Sequence, residues 1–278
     1  MTATVPQTIV AKEARLRSIV RSLESCIVAF SGGVDSALVL RIATDELGER
    51  ALGITGSSQS LAESELDAAV AFAAGEGASH DVVQTRELDD PNYRANPANR
   101  CYFCKSELYG TLVRIAQERG ARYVVDGFNK DDEGDWRPGR KAAREHGVRS
   151  PLAEAGFTKA DVRTLAQHLG LDVWDKPALA CLSSRFPYGT PITLDLLRQV
   201  DRAEQAVRAA GFRVCRVRHH GDVARIELPA EDIARAADPQ IRALLVQGVT
   251  GAGYAYVALD IGGYVSGNLN RTKGAGEA

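Results

Sequence analysis

The chain has 278 residues, 45% hydrophobic and 25% charged, which is the balance of a globular protein long enough for one large domain or two ordinary ones. Its 34 Lys and Arg against 36 Asp and Glu leave a formal net charge of −2, which argues against nucleic-acid binding by bulk electrostatics. No apolar run is long enough to span a bilayer, and Met1-Thr2-Ala3-Thr4-Val5-Pro6 lacks the basic start and apolar centre of a secretory signal, so the cytoplasm is the expected compartment.

A helix is expected over 11–23, then an apolar strand over 27–30. Directly after it come Ser31-Gly32-Gly33-Val34-Asp35-Ser36, and then a helical pattern over 37–47. Strand, glycine turn and helix make an anion trap. The glycines let the backbone turn sharply and leave no Cβ in the way of a ligand. The free N–H groups of the next helix face the turn, at the positive end of its dipole. Ser31 and Ser36 add hydroxyls. Asp35 is out of place beside an anion unless it caps the helix or holds a cation such as Mg²⁺. No Gly-x-x-x-x-Gly-Lys-Ser/Thr stretch is present, which excludes a Walker loop.

Further strands are expected over 51–55, 81–85 and 123–126, and further helices over 60–74, 106–118 and 159–169. Short apolar strands, each followed by a helix, predict an α/β fold with a parallel, doubly wound sheet covered on both faces. Ligands bind beyond the carboxyl ends of such strands. Ser31, Thr55 and Gly127 fall at those ends. Residues 182–193 are turn-rich and read as a linker. After it come a helix (195–210), a strand pair (213–218 and 223–228), a helix (231–247) and a strand (255–261), a small α+β unit. The expected division is therefore 1–185 and 186–278, with a Gly-rich tail over 271–278 expected to be mobile.

Five cysteines stand at 26, 101, 104, 181 and 215. In a reducing compartment they do not form a disulfide framework. Cys26 and Cys215 adjoin apolar runs and read as small core residues. Arg100-Cys101-Tyr102-Phe103-Cys104-Lys105 opens a helix. Its two thiols point the same way, and the dipole with Arg100 and Lys105 favours thiolates. A lone C-x-x-C has three readings: a redox pair, half a zinc site, or part of an iron–sulfur site. No second C-x-x-C follows, and His219-His220 are adjacent, on opposite strand faces. Cys181 lies in a loop, where functional groups often sit, yet Ala180 and Leu182 beside it equally suit a buried small residue. Arg216 and Arg218 share one strand face, suited to forked binding of phosphate or to an ordinary solvent face. Glu204 is a weaker candidate for metal or proton work. Arg140, Lys141 and Arg144 read as a solvated helix face, with Arg137 set apart in Arg-Pro-Gly. Asp126, Asn129 and Asp132 are expected to shape the nucleotide cleft.

Ser31–Ser36 resembles the pyrophosphate loop of the PP-loop ATPases, which cleave ATP between the α- and β-phosphates and adenylate an acceptor. Five further motifs follow in order over nearly the whole chain: Asn96-Pro97 with Arg100–Lys105; Asp126-Gly127-Phe128-Asn129-Lys130-Asp131-Asp132 with Arg137-Pro138-Gly139; Ser150-Pro151-Leu152; Cys181-Leu182-Ser183-Ser184-Arg185-Phe186-Pro187-Tyr188-Gly189; and Arg216-Val217-Arg218-His219. Together they resemble the LarE-type sulfurtransferase family within the PP-loop group. The resemblance implies an adenine nucleotide α-hydrolase-like fold and ATP-dependent sulfur transfer to the carboxylates of pyridinium-3,5-biscarboxylic acid mononucleotide. The product serves the nickel-pincer nucleotide, the cofactor of lactate racemase.

By that resemblance, Ser31, Gly32, Gly33, Val34, Asp35, Ser36, Thr55 and Gly127 bind ATP, with Mg²⁺ at Asp35. Ser184, Arg185, Arg216 and Arg218 bind the substrate. Cys181 stands where the sacrificial branch has its sulfur-donating cysteine, which becomes dehydroalanine. In another branch three cysteines hold a 4Fe–4S cluster that carries sulfide. Cys101 and Cys104 accompany Cys181, so the chain resembles the cluster-bearing branch; three thiolates leave one iron open. The implied partner is a small-molecule nucleotide, with no nucleic acid and no membrane. The C-terminal domain is expected to bind substrate and join copies into a homo-oligomer, as a hexamer. A PP-loop tRNA thiolase is the first alternative, and would need a basic RNA-binding surface. An ATP-dependent amide synthetase has no use for three cysteines. A nucleotide sensor or cluster carrier would show no turnover.

Overall fold

The structure is a computed structural model that describes residues 6–133, 138–177 and 180–265. Arg137 and the 271–278 tail lie outside them. The chain divides into two compact units: Met1–Glu87 with Asn99–Leu179, and Leu88–Ala98 with Ala180–Ala278. A contiguous division at 185 differs from this at two places, since 88–98 and 180–185 pack with the second unit.

In the first unit, α1 (Gln7–Ser22) leads into β1 (Cys26–Ala29), α2 (Val34–Leu47), β2 (Ala51–Ser57), α3 (Glu63–Gly75) and β3 (His80–Gln84). The short α4 (Pro91–Arg94) belongs to the other unit. Then α5 (Arg100–Arg119), β4 (Tyr123–Val125), α6 (Pro138–Glu145), α7 (Pro151–Glu154) and α8 (Lys159–His168) complete the first unit. Its sheet has the order β3-β2-β1-β4, every pair parallel, with Cys26 opposite both Ala51 and Tyr123. All four residues of β1 are buried, as a central strand covered on both faces requires. Val28 packs with Leu16, Leu38, Phe157 and Leu165 from α1, α2 and the α8 region. Ile27 and Ala29 point the other way, to Tyr109, Leu112 and Ala142 from α5 and α6. Alternate residues of one strand thus feed two helical layers, which is the expected doubly wound α/β arrangement.

The second unit holds α9 (Leu194–Ala209), β5 (Arg216–His220), β6 (Val223–Glu227), α10 (Ile233–Ala236), α11 (Pro239–Gly251) and β7 (Tyr256–Leu259). β5 and β6 are antiparallel, β6 and β7 parallel. Leu197, Val200, Ala203 and Val207 form the buried stripe of α9. The single helix expected over 231–247 is instead two. Asp238 accepts from the Gln240 and Ile241 N–H groups and Pro239 takes the first helical position, a fresh N-terminus that ends α10. The segment 88–98 is tied into this unit by side chains. The Tyr93 hydroxyl meets Ser183 Oγ at 2.6 Å, and the Asn96 amide donates to the Pro187 carbonyl at 2.8 Å. Among the described residues, no helix is long and apolar enough to cross a membrane.

Candidate active site

The turn Ser31–Gly33 joins β1 to α2. Gly32 has φ +71, and a Cβ there would lie 3.1 Å from that of Ala69. Gly33 caps α2 without a side chain, so the first N–H groups of the helix remain available. Val34 is buried beneath them. Ser36 Oγ donates to the Gly33 carbonyl at 3.0 Å and accepts from Ser31 N–H at 3.2 Å; the two hydroxyls are 3.1 Å apart. Gly127, just past β4, is brought against this helix start. A Cβ there would sit 2.7 Å from Ser36 N, so only glycine allows the approach.

Asp35 has two partners. Asn129 Nδ2 donates to one carboxylate oxygen at 3.0 Å, and Lys159 Nζ pairs with the other. The carboxylate that the sequence offers to Mg²⁺ is thus matched by an ammonium group. A second lysine, Lys176, reaches the Gly32 carbonyl at 3.3 Å and Glu65 at 2.9 Å. Sequence reasoning missed Lys159. Its signal is a misfit: it opens α8, where a cation opposes the helix dipole.

Asp126 accepts from Tyr109, Ser150 and Phe128 N–H, and burial pushes its carboxyl above the usual range. Asn129 N–H donates to Asp132 at 3.1 Å. Of these three residues Asn129 is the one seen to donate to Asp35. Thr55 is buried with its hydroxyl 2.8 Å from His80 Nε2, a side chain committed to the sheet. At the ends of β2 and β3, Ser60 and Thr85 both donate to the buried Glu87, at 3.0 and 2.9 Å.

Cys101 is exposed and Cys104 half-buried in the first turns of α5; Cys181 is half-buried in the second unit. Among the described residues no three His, Cys, Asp or Glu gather to hold a metal ion. Cys26 and Cys215 are buried, which pushes their thiols up to about 12 and about 11, as inert core residues should show.

Cys181 precedes a 3₁₀ turn, Leu182–Arg185. Arg185 is 3% exposed and forks onto Glu204 of α9 at 2.8 and 2.9 Å. Burial pulls the Glu204 carboxyl up, but Arg185, the Val217 N–H and Arg208 together hold it below its usual value. Arg216 and Arg218 do share one face of β5, and that face is buried. Arg218 donates to Glu227 at 2.7 and 3.0 Å and to the Ser184 carbonyl at 2.8 Å. Arg216 donates to the Cys215 carbonyl at 2.8 Å and lies over the Tyr264 ring. Burial, then the like charge of Arg185, push Arg216 below the ordinary arginine value. His219 turns inward to Tyr254 at 3.1 Å, while His220 is exposed.

No family model matches the chain. The chain is 51% identical over 256 residues to an uncharacterized protein of Synechocystis, covering 92% of this chain and 96% of that one. It is 42% identical over 267 residues to the pyridinium-3,5-bisthiocarboxylic acid mononucleotide synthase of Lactiplantibacillus plantarum, covering 95% and 96%. It is 29% identical over 205 residues to a glutamine-hydrolysing GMP synthase of Aeropyrum pernix, covering 66% of this chain and 39% of that protein.

Proposed function

The chain belongs to the family of the pyridinium-3,5-bisthiocarboxylic acid mononucleotide synthases, and from that premise we propose how its residues divide the work of an ATP-dependent sulfurtransferase. The substrate is a small nucleotide whose carboxylates become thiocarboxylates. We place the reaction in nickel-pincer nucleotide synthesis, in the cytoplasm.

The observation that carries the ATP role is the turn at α2. Uncapped N–H groups, the Ser31 and Ser36 hydroxyls, and glycines at 32, 33 and 127 leave room for a phosphate chain. Lys159 neutralises Asp35, which removes the repulsion that a bare carboxylate would exert on that chain. A substrate carboxylate attacks the α-phosphorus, and pyrophosphate leaves. The resulting acyl adenylate is then attacked by sulfur, and AMP leaves. Mg²⁺ at Asp35 would require Lys159 to turn aside, and would supply positive charge to the phosphates there.

Cys181 is proposed to deliver the sulfur. If it gives up its own atom, its Sγ attacks the acyl carbon. The Cβ–S bond then breaks with loss of the α-proton, leaving a thiocarboxylate and dehydroalanine. The alternative route is a 4Fe–4S cluster on Cys101, Cys104 and Cys181, which when bound would present sulfide at its open iron. The thiolate chemistry of these three residues suits such a cluster.

Arg216 is the guanidinium best suited to the substrate's anionic groups. An anion beside it offsets both its burial and the charge of Arg185. Ser184 and Arg218 are proposed to complete that site; Arg185 stands behind it, donating to Ser184 at 2.9 Å without touching the substrate itself. Nucleotide binding falls to the first unit, and substrate binding and assembly to the second. Exposed Leu244, Val246, Tyr256 and Ile261 on the second unit support a homo-oligomer, proposed as a hexamer.

The test is incubation with ATP and the pyridinium dicarboxylate mononucleotide. Substrate-dependent pyrophosphate release with a thiocarboxylate product is expected. An amide product that depends on ammonia would refute the proposal.

A further inference from the structure

We propose that Arg185 and Glu204 are positioning residues that aim the sulfur of Cys181, an inference that rests on Cys181 being the sulfur-delivering residue. Arg185 acts through the chain around Cys181 and not on the substrate.

The geometry begins with where the guanidinium spends its donors. Nε and Nη2 donate to the two oxygens of Glu204, at 2.8 and 2.9 Å. Nη1 donates to the Ala180 carbonyl at 2.7 Å, the Cys181 carbonyl at 3.1 Å and Ser184 Oγ at 2.9 Å. An arginine has five N–H groups. A forked grip on phosphate needs two parallel N–H groups on one open edge. Both edges that include Nη2 end on Glu204 or are left with a lone N–H, so Arg185 has no open fork.

The two carbonyls it holds are the informative pair. One belongs to the peptide before Cys181, the other to the peptide after it. Peptide units are planar, so fixing both fixes φ and ψ of Cys181 and with them the direction of its Cα–Cβ bond. Only the χ1 rotamer of the thiol remains. Ser184 N–H adds a second hydrogen bond to the Cys181 carbonyl, at 2.9 Å.

The clamp is itself anchored. Glu204 is fully buried and accepts from the Val217 N–H of β5 at 3.0 Å and from Arg208 at 2.9 Å. A continuous chain therefore runs from the Cys181 backbone through Arg185 and Glu204 to β5. The same turn is pinned independently by Tyr93 on Ser183 and by Arg218 on the Ser184 carbonyl. Aiming a nucleophile in this way matters because attack needs a near-contact geometry. A displacement of about 1 Å costs on the order of 100-fold in rate.

The experiment separates positioning from substrate contact by reading two steps in one enzyme. Glu204→Gln and Arg185→Lys are assayed for substrate-dependent pyrophosphate release and for thiocarboxylate formed. Expected is a fall of roughly 10- to 100-fold in kcat for sulfur transfer, with the substrate KM for pyrophosphate release unchanged. A large rise in that KM, with the yield of thiocarboxylate per pyrophosphate intact, would make Arg185 a substrate contact and overturn the proposal. Breaking a buried pair can unfold a protein, so the double variant Arg185→Met with Glu204→Met supplies the second arm; apolar replacement of both partners is commonly tolerated. It is expected to release pyrophosphate and fail to transfer sulfur. Cys181→Ala marks the premise. If it still transfers sulfur, the role of Cys181 fails and the clamp with it. If it is inactive while the clamp variants transfer at the parent rate, only the clamp fails.

Discussion

Asp35 shows how a single side chain changes meaning between sequence and structure. Beside an anion-binding turn it implies a cation, and the cation present is the ammonium of Lys159, from a helix far along the chain. Nothing near Asp35 in the sequence announces that partner. Thr55 behaves similarly. Its place at the end of the strand expected over 51–55 marks it as a ligand contact, yet its hydroxyl is held by His80. Burial pushes the His80 imidazole below its ordinary value, so the folded ring takes up its proton at lower pH than the unfolded chain does. The unfolded chain takes up its proton near pH 6.5. Stability contributed by this group is therefore present above about pH 6.5 and declines as pH falls below it. Urea denaturation across that range is expected to show a steeper loss in the parent than in His80→Asn. Identical slopes would show that His80 does not set it.

The elements of the first unit were largely legible because each apolar run is short, and its alternate residues face different helical layers. β1 and its neighbours follow from that pattern. The C-x-x-C also opens its helix as its position implied, α5 beginning at Arg100. Two features were harder to read. The break between α10 and α11 was written in Asp238-Pro239, a cap and a first-turn proline, but the apolar periodicity on both sides hid it. The packing of 88–98 with the second unit was not legible, because it rests on contacts such as Tyr93 with Ser183, ninety positions apart. Helix packing supplies a prediction here. A Cβ at Gly248 of α11 would lie 2.6 Å from that of Ala206 on α9. Gly248→Val is expected to force the two helices apart and to destabilise the unit by about 1–3 kcal/mol, partly offset by better helix propensity. Thermal denaturation checks this, and an unchanged midpoint would contradict it.

For the molecule as a whole, the chemistry is divided between units that the chain enters more than once. The phosphate turn lies in the first unit and the Cys181 turn with its buried arginines in the second. Both cysteine motifs follow directly on a passage of the chain between units, Cys101 after Ala98 and Cys181 after residue 179. Site chemistry was legible where it depends on local order, as in Ser31–Ser36. It was not legible where it depends on burial, as with Arg185 and Arg218, whose charges end on Glu204 and Glu227. In the proposed reaction ATP activates a carboxylate, which then receives sulfur by way of Cys181. The most direct measurement is thiocarboxylate formed per pyrophosphate released, by mass spectrometry, in the parent and in Cys181→Ala. Matched yields are expected in the parent, and continued pyrophosphate release without thiocarboxylate in the variant. Thiocarboxylate from Cys181→Ala at the parent yield would contradict the proposal.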